Sequence, residues 1–276
     1  MTDTHDIKPG QSIELLKELH ILTRDGKMNQ DSRRKLKQIY HLHQFIEPLL
    51  QEISQTHPDI QLVDHGAGKS YLGFILYDLY FKALSQRCHV YGIETREELV
   101  SRSRDLARRL NFPGMSFLNL SVAESIASED LPVRVDMVTA LHACDTATDD
   151  AIRFALGKKV PYIVLVPCCQ AEVAAVLRRN KGKMRDYSAL AELWRHPLHT
   201  REFGSHVTNV LRGLQLEAHG YQVSVTELVG WEHSLKNELI IARDQKLPRE
   251  RPTERLHELL RMLGLEEMEP RFFTPA

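Results

Sequence analysis

Residues 62–72 read Leu-Val-Asp-His-Gly-Ala-Gly-Lys-Ser-Tyr-Leu, and this stretch decides the fold. A short apolar run ends in the acid Asp64, passes through Gly66 and Gly68, and enters an amphipathic helical pattern. Glycine lets the backbone turn sharply and lets a ligand approach closely, because it has no Cβ. A strand, a glycine-rich turn and a helix form the nucleotide-binding corner of an α/β sheet.

The spacing within this corner argues against two common phosphate sites. Ser70 stands where a dinucleotide-binding G-x-G-x-x-G pattern has its third glycine or alanine. Lys69 and Ser70 resemble the end of a P-loop, but Asp64 occupies the position of the first glycine of G-x-x-x-x-G-K-[ST]. The sequence therefore disfavours ATP or GTP hydrolysis.

The chain beyond this corner alternates between short β-rich runs and helical patterns, which predicts a doubly wound, mostly parallel α/β sheet. The β-rich runs are 60–64, 89–94, 115–120, 134–141 and 161–166, and the helical ones are 70–86, 95–110, 145–156 and 170–180. A helix is expected at 202–219. Two later strand-like runs, Tyr221–Val229 and Glu238–Ala242, are predicted to pair antiparallel at a sheet edge.

Three segments are expected along the chain. Residues 1–55 form an N-terminal helical extension with two apolar stripes at helical spacing, separated at Gly26. Residues 56–245 form the α/β domain. Residues 246–276 form a C-terminal helical tail that follows a proline-marked linker.

The composition of the chain limits the cellular compartments and the kinds of partner that can be expected for it. The 276 residues include 36 basic and 37 acidic side chains, so no global field draws the chain to nucleic acid or membranes, and nucleic-acid contact requires local patches. Four cysteines are too few and too clustered for a disulfide framework. The first residues lack the basic and apolar regions of a signal peptide. A cytoplasmic location without membrane contact is expected.

A second acid, Glu94, closes the second strand-like run. A carboxylate at this position can accept hydrogen bonds from both hydroxyls of a ribose. Asp64 or Glu94 alone could equally be a helix cap. The two acids together with Gly66 and Gly68 favour a nucleoside site.

These residues resemble a known family. Asp-x-Gly-x-Gly after the first strand, with an acid closing the second, resembles the S-adenosylmethionine site of class I methyltransferases. Four further features are similar to the subgroup that includes the methyltransferase domain of glutathione-S-transferase-C-terminal-domain proteins, and more distantly to eukaryotic tRNA 2′-O-methyltransferases. They are Leu-His-Ala-Cys-Asp-Thr-Ala-Thr-Asp at 141–149, Pro-Cys-Cys at 167–169, Gly-Tyr at 220–221 and Lys-Asn at 236–237. Asp145 departs from the glycine expected in the first of these.

The resemblance implies an S-adenosylmethionine-dependent enzyme and assigns its cofactor contacts. Asp64, Gly66 and Gly68 would line the methionine half of the cofactor and Glu94 would hold the ribose. Ser121 and Val122 would lie beside adenine. The predicted cofactor-binding set is completed by Ala67, Thr95 and Leu141.

One histidine and three cysteines follow the fourth and fifth strands, namely His142, Cys144, Cys168 and Cys169. Three interpretations stay open for them. They could bind a metal, although adjacent cysteines seldom both reach one ion, and no metal site is predicted. Cys168 or Cys169 could be a nucleophile towards a pyrimidine base. The cysteines could instead be small packing residues beside the pocket.

The sulfonium of S-adenosylmethionine already activates the methyl group, so the main task of the enzyme in methyl transfer is to align the acceptor atom with this group. A hydroxyl acceptor also needs a base, for which His142 and Asp145 are the candidates, and Lys236 could stabilise developing charge.

Three basic clusters predict RNA, perhaps tRNA or rRNA, as the partner, because phosphates are the natural ligands of such clusters. Any one cluster could instead be a solvated helix face. A protein or small-molecule acceptor and a non-catalytic cofactor-binding module remain alternatives. The clusters contain Arg178, Arg179, Lys181, Lys183 and Arg185; Arg33, Arg34, Lys35 and Lys37; and Arg195, His196, His199 and Arg201. Tyr187, Trp194 and Phe203 lie near the first and third clusters and could stack on a base, although each could equally pack in a core.

Overall fold

A seven-stranded sheet forms the centre of the protein. The computed structural model describes residues 7–84, 87–141, 143–168, 170–180, 190, 192–228 and 238–273. The strands are β1 (Gln61–His65), β2 (His89–Glu94), β3 (Met115–Asn119), β4 (Met137–Leu141), β5 (Tyr162–Val166), β6 (Tyr221–Glu227) and β7 (Glu238–Asp244), in the order β3-β2-β1-β4-β5-β7-β6. Strands β1 to β5 are parallel. The prediction of a doubly wound, mostly parallel sheet is confirmed.

The two last strands form one end of this sheet, as predicted. Strand β7 runs antiparallel to β5, and β6 pairs antiparallel with β7 from Tyr221 opposite Asp244 to Glu227 opposite Glu238. All the carboxyl ends of β1 to β5 consequently meet at one edge of the sheet, called here the carboxyl edge.

Helices cover both faces of the sheet. They are α1 (Ile13–Glu18), α2 (Gln30–Thr56), α3 (Tyr71–Leu79), α4 (Glu97–Arg109), α5 (Val122–Ala127), α6 (Thr146–Gly157), α7 (Glu172–Asn180), α8 (Pro197–Glu217), α9 (Glu250–Met262) and α10 (Glu269–Phe272), with 3₁₀ turns at Phe81–Ala83, Glu192–Trp194 and Glu266–Met268. Among the described residues, no helix is both long and apolar enough to cross a membrane.

The N-terminal extension packs directly on the sheet domain. Asn29 caps α2 by accepting from the backbone N–H of Ser32, and the apolar stripe of this helix is buried at Leu36, Leu42 and Leu49. These side chains belong to the same hydrophobic cluster as residues of α3 and of the sheet, including Phe74. The extension is therefore part of the core of the α/β domain.

Two further clusters complete the core. On the other face of the sheet, Val63 and Val138 pack with Ile152 and Phe154 of α6. The third cluster joins α7, α8 and the C-terminal tail around Trp194, which is fully buried.

The observed elements differ from the predicted ones in four places. Strand β4 begins at Met137 rather than at residue 134, because the Asp136 carboxylate accepts from the backbone N–H of Gln61 and pairs with Arg134. The predicted helix 70–86 ends at Leu79 and continues only as a 3₁₀ turn. Helix α5 was not predicted. Helix α8 begins five residues before the predicted helix at 202–219, at Pro197, a residue that suits the first position of a helix.

Candidate cofactor and acceptor site

The glycine-rich corner lies at the carboxyl edge between β1 and α3. Gly66 and Gly68 adopt φ values of +67° and +58°, which side chains disfavour, and a Cβ added to Gly66 would lie 3.3 Å from the Cβ of Ala143. Ser70 also takes a left-handed conformation, with φ 50° and ψ 40°. The backbone N–H of Ala67 donates to the carbonyl of Ile93 at 2.9 Å. The corner thus follows β1 as predicted and is tied to the end of β2.

The carboxylate of Asp64 holds this corner from beneath. Its oxygens accept from the hydroxyls of Ser70 and Thr139, each at 3.0 Å, and from the backbone N–H of Gly73. Only 2% of the residue is exposed. Burial raises the pKa of Asp64 to about 6, although the hydrogen bonds oppose this shift. Asp64 therefore joins β1, β4 and the first turn of α3.

Glu94 lies across the corner at the end of β2. One of its oxygens accepts from the backbone N–H of Gly68 at 2.8 Å, and both accept from the guanidinium of Arg96 at 3.0 and 3.2 Å. The hydroxyl of Thr95 lies 3.4 Å from the other oxygen, Oε1, which does not contact Gly68. Burial alone would raise the pKa of Glu94, but the hydrogen bonds from Arg96 and Gly68 outweigh it and hold the pKa below its ordinary value. Glu94 is therefore an ionised acceptor.

His65, between Asp64 and Gly66, was missed as a candidate in the sequence. Its ring is buried against Phe154, and neither ring nitrogen has a hydrogen-bond partner among the described residues. Burial lowers the pKa of His65 to about 4, and the nearby charge of Glu94 opposes this. A neutral imidazole with a spare donor and a spare acceptor therefore lies at the corner. The only indication in the sequence is its position inside the glycine-rich stretch.

Ser121 and Val122 follow β3 at the same edge. The Ser121 hydroxyl accepts from the backbone N–H of Glu124, and the Glu124 carboxylate accepts from the backbone N–H of Ser121 at 2.7 Å. This reciprocal capping box begins α5. The Asn119 amide also donates to the carbonyl of Glu94 at 3.0 Å, joining β3 to β2.

The corner fits an S-adenosyl cofactor. The cradle at Gly66 has no room for a larger side chain, Glu94 is charged as a ribose acceptor must be, and His65 has unused hydrogen-bonding groups. Gly66, Ala67 and Gly68 would hold the methionine half, and Glu94 and Thr95 the ribose. Ser121 and Val122 would stay near adenine, and Leu141 beside the methionine half. These assignments remain proposals.

The ends of β4 and β5 converge as predicted. The sulfur atoms of Cys144 and Cys168 lie 3.5 Å apart, without a disulfide between them. The predicted residues His142, Lys236 and Cys169 lie outside the described part of the chain. Within the described part, no three His, Cys, Asp or Glu side chains form a group that could hold a metal ion.

Asp145 adopts a backbone conformation that glycine favours, with φ 49° and ψ −118°. One oxygen of its side chain accepts from the backbone N–H of Ala171 at 3.1 Å, which joins the loop after β4 to the loop after β5. Its carbonyl oxygen accepts from the guanidinium of Arg212 at 2.8 Å. The departure from glycine in the sequence thus coincides with a strained position that two contacts stabilise.

Arg212 of α8 is the centre of a buried polar network beneath this loop. Its guanidinium is fully buried and forms a bidentate ion pair with Asp149 at 2.8 and 2.9 Å. It also contacts Asn209, which accepts from the amide of Gln170 and donates to Glu238 at the start of β7. This network is not predictable from the sequence, because its residues lie far apart in the chain.

The basic clusters differ in how many of their charges are paired. Arg179 pairs with Glu267, Arg34 with Asp31, and Arg195 with Glu192. Arg178 and Arg33 are exposed, whereas Lys181, Lys183, Arg185 and Tyr187 lie outside the described residues. Trp194, which precedes the third basic cluster in the sequence, is fully buried in the hydrophobic cluster between α7, α8 and the C-terminal tail and stacks on Phe203. It is therefore a core residue and does not offer an exposed face to a base.

The family of the chain follows from a sequence comparison. A family model described as "Methyltransferase domain" matches residues 34–176, which is more than half of the chain. The chain belongs to this methyltransferase family. The predicted resemblance, and with it an enzyme that uses S-adenosylmethionine, is confirmed.

The relatives agree with the subgroup. Glutathione S-transferase C-terminal domain-containing proteins of Mus musculus and Bos taurus are each 22% identical to this methyltransferase over 236 residues. The match covers 79% of this chain and 34% of each relative, so the chain spans about a third of their length.

Solved structures resemble this methyltransferase more weakly. Magnesium protoporphyrin IX methyltransferase from Synechocystis PCC 6803, with bound S-adenosyl-homocysteine, is 14% identical, with a TM-score of 0.46, and the match covers 85% of this chain and 96% of the other. TrmK of M. capricolum with the same molecule is 10% identical, with a TM-score of 0.40, and the match covers 68% and 63%. Neither likeness bears on the acceptor.

Proposed function

We propose that this methyltransferase transfers the methyl group of S-adenosylmethionine to RNA. The observation that carries the proposal is a ring of three cationic side chains from three elements around Tyr71 at the carboxyl edge. Lys35 of α2 borders a cavity of about 250 Å³ that Tyr71 also lines. Lys69 of the corner and Arg102 of α4 border a second cavity of about 290 Å³, which shares Tyr71.

The charge at this rim favours an anionic partner. Lys35, Lys69 and Arg102 have no acidic partner within the part of the chain that the structure describes. Two acids also line the second cavity, but both are already paired: Glu18 with Arg109 at 3.0 Å, and Asp105 with Arg108 at 3.2 Å. Among the described residues that line the two cavities, the charges without an ion-pair partner are therefore positive. Phosphates of a nucleic acid are the ligands that such a rim attracts.

The chemistry at the site is divided between cofactor and chain. S-adenosylmethionine supplies an activated methyl group when bound. The residues of the chain orient the two reactants and exclude water. For a hydroxyl acceptor, Asp145 or His142 would take up the proton, and Lys236 would balance developing charge. Of these three, the structure describes only Asp145, at the junction of the loops after β4 and β5.

Radiolabelled methyl transfer tests the proposal directly. The full chain is incubated with methyl-labelled S-adenosylmethionine and with RNA or protein from a strain that lacks the gene. Label is expected in RNA. Label found only in protein or only in small molecules, or binding of cofactor without transfer to any fraction, would overturn the proposal.

Charge variants sharpen this test. Lys69→Gln and Arg102→Gln should each raise the KM for RNA and flatten its dependence on salt, because each removes one phosphate contact. Arg251→Gln is the matched control, since Arg251 is exposed on α9 and borders neither cavity. Equal KM values for all variants would contradict the role of the rim.

The cytoplasmic location expected from the sequence remains a prediction.

A further inference from the structure

The cavity beside Lys35 is formed jointly by the N-terminal extension and the carboxyl edge. Helix α2 contributes Lys35, Gln38, Ile39 and Leu42, which lie on one helical face because they are spaced by three and four residues. The sheet domain contributes Tyr71 and Leu141. A site of about 250 Å³ lies just below the range of about 300–1,000 Å³ typical of ligand pockets, so it suits one compact group.

Its position places the cavity next to the cofactor corner. Residues at alternate positions of a strand share a face, so Leu141 lies on the same face of β4 as Thr139. Thr139 donates to Asp64, which holds the glycine-rich corner. Tyr71 directly follows Ser70, which donates to the same carboxylate. A group bound in the cavity would therefore lie on the face of the sheet that Asp64 occupies, at the edge where the glycines turn.

The cavity is lined by apolar side chains and by polar groups that have no hydrogen-bond or ion-pair partner among the described residues. Ile39, Leu42 and Leu141 are apolar, and Tyr71 offers an aromatic ring. The amide of Gln38 and the hydroxyl of Tyr71 have no hydrogen-bond partner among the residues that the structure describes, and Lys35 has no acidic one. A planar group with apolar faces, a polar edge and a nearby negative charge matches this set.

We propose that the cavity receives one nucleobase of the acceptor RNA, an assignment that rests on the proposed function. The base stacks on Tyr71 and packs on Ile39 and Leu42. Its polar edge is bonded by the amide of Gln38. Lys35 at the rim contacts the adjoining phosphate. The N-terminal extension thereby forms half of the acceptor site.

Binding of nucleoside 5′-monophosphates tests the cavity without depending on transfer. The full chain is first saturated with S-adenosyl-homocysteine, so that the nucleoside site at the corner is filled, and each of the four monophosphates is then titrated by NMR. At least one should bind. Gln38→Leu should weaken this binding about tenfold, as loss of one hydrogen bond does. Ile39→Trp should abolish it by filling the cavity.

Controls separate a local effect from misfolding. Gln44→Leu makes the same change on the exposed side of α2 and should leave binding unchanged. The affinity of every variant for S-adenosyl-homocysteine should stay within about twofold of the unchanged chain, because none of them touches the corner. Gln38 is only half-buried, so its variant keeps the test valid even where Ile39→Trp disturbs packing.

The outcomes distinguish the two proposals. If RNA is methylated but no monophosphate binds, or if binding is equal in Gln38→Leu and in the unchanged chain, the cavity proposal is wrong and the proposed function stands. If a monophosphate binds and is lost in Ile39→Trp while only protein is methylated, the RNA proposal fails, but the nucleotide site remains.

Discussion

The guanidinium of Arg96 lies against both carboxylate oxygens of Glu94, at 3.0 and 3.2 Å. Together with the backbone N–H groups of Gly68 and Arg96, it occupies the acceptor positions of this carboxylate. A carboxylate offers about four such positions. Ribose hydroxyls must therefore displace Arg96, whose side chain is 60% exposed and can move into water.

Arg96→Ala should accordingly bind S-adenosyl-homocysteine more tightly than the unchanged chain, by about 2- to 10-fold, because one competitor for Glu94 is removed. Isothermal titration calorimetry measures the change. Arg108→Ala, which removes an exposed ion pair from the same helix, should leave the affinity unaltered. Weaker binding in Arg96→Ala would show that the guanidinium itself contacts the cofactor.

Asp64 gives the fold a measurable dependence on pH. Its pKa of about 6 lies above the ordinary value of 3.8, so the folded chain holds a proton that the unfolded chain releases. The contribution is complete below the unfolded pKa and is lost as the pH rises through 6. Relative to Asp64→Asn, the free energy of unfolding of the unchanged chain should fall by about 1 kcal/mol between pH 5 and pH 7.

Urea denaturation of both chains at several pH values gives this difference. Asp64→Asn is a suitable reference because it is almost isosteric and the hydroxyls of Ser70 and Thr139 can accept as well as donate. Parallel curves for the two chains across this range would mean that Asp64 does not titrate there.

Asp145→Asn separates a base from a structural residue. Asparagine is almost isosteric with aspartate and keeps an oxygen that can accept from the backbone N–H of Ala171, so stability should change by less than about 1 kcal/mol. If Asp145 takes the proton of the acceptor, turnover should fall by about 10²- to 10⁴-fold. Single-turnover kinetics and thermal denaturation measure the two effects. Preserved turnover in Asp145→Asn would assign the base to another residue.

Removal of one partner of the Arg212–Asp149 ion pair should lower the stability of the fold strongly, whereas replacement of both partners by apolar residues should lower it little. Arg212→Leu leaves a buried carboxylate without its partner, which should cost about 3–5 kcal/mol of stability. The double change Arg212→Leu and Asp149→Leu should recover most of this loss. Chemical denaturation of the two single variants and the double variant measures the interaction energy between Arg212 and Asp149. If the two single losses of stability add up to the loss in the double variant, the two residues do not interact energetically.

The double variant also tests the support of Asp145. The bond from Arg212 to the carbonyl of Asp145 is absent in it, so the strained loop loses one of its two contacts. Turnover should stay low after stability has recovered, with an unchanged affinity for S-adenosyl-homocysteine. Full recovery of turnover would mean that the backbone of Asp145 is held by other contacts.

The parallel sheet and the glycine-rich corner were predictable because their residues are adjacent in the chain. Gly66, Gly68 and Glu94 carry local patterns, and the alternation of strands and helices determines which edge they share. The start of helix α5 could also have been predicted from the sequence, since Ser121 and Glu124 have the spacing of a capping box. Ser121 was interpreted only as an adenine neighbour, and the helix was missed.

Other features depend on contacts between distant residues. The bond from Asp64 to Thr139 joins residues 75 positions apart, and the pair of Arg212 and Asp149 joins residues 63 apart. Spacing in one sequence contains no information on such pairs. Trp194 illustrates an ambiguity of the sequence: its basic neighbours allow a residue that stacks on a base, and its apolar ring equally allows a core residue. Burial and packing on Phe203 show that it is a core residue.

The long helix α2 has a consequence for any shortened version of this chain. The division at residue 55, drawn from the sequence, passes between segments that share one hydrophobic cluster, in which Leu42 and Leu49 pack with residues of α3 and the sheet. A fragment starting at residue 56 would expose that apolar surface to water and would also open one wall beside Leu141. Insolubility of such a fragment would therefore reflect a severed core, and any loss of its activity would say nothing about the residues of the corner.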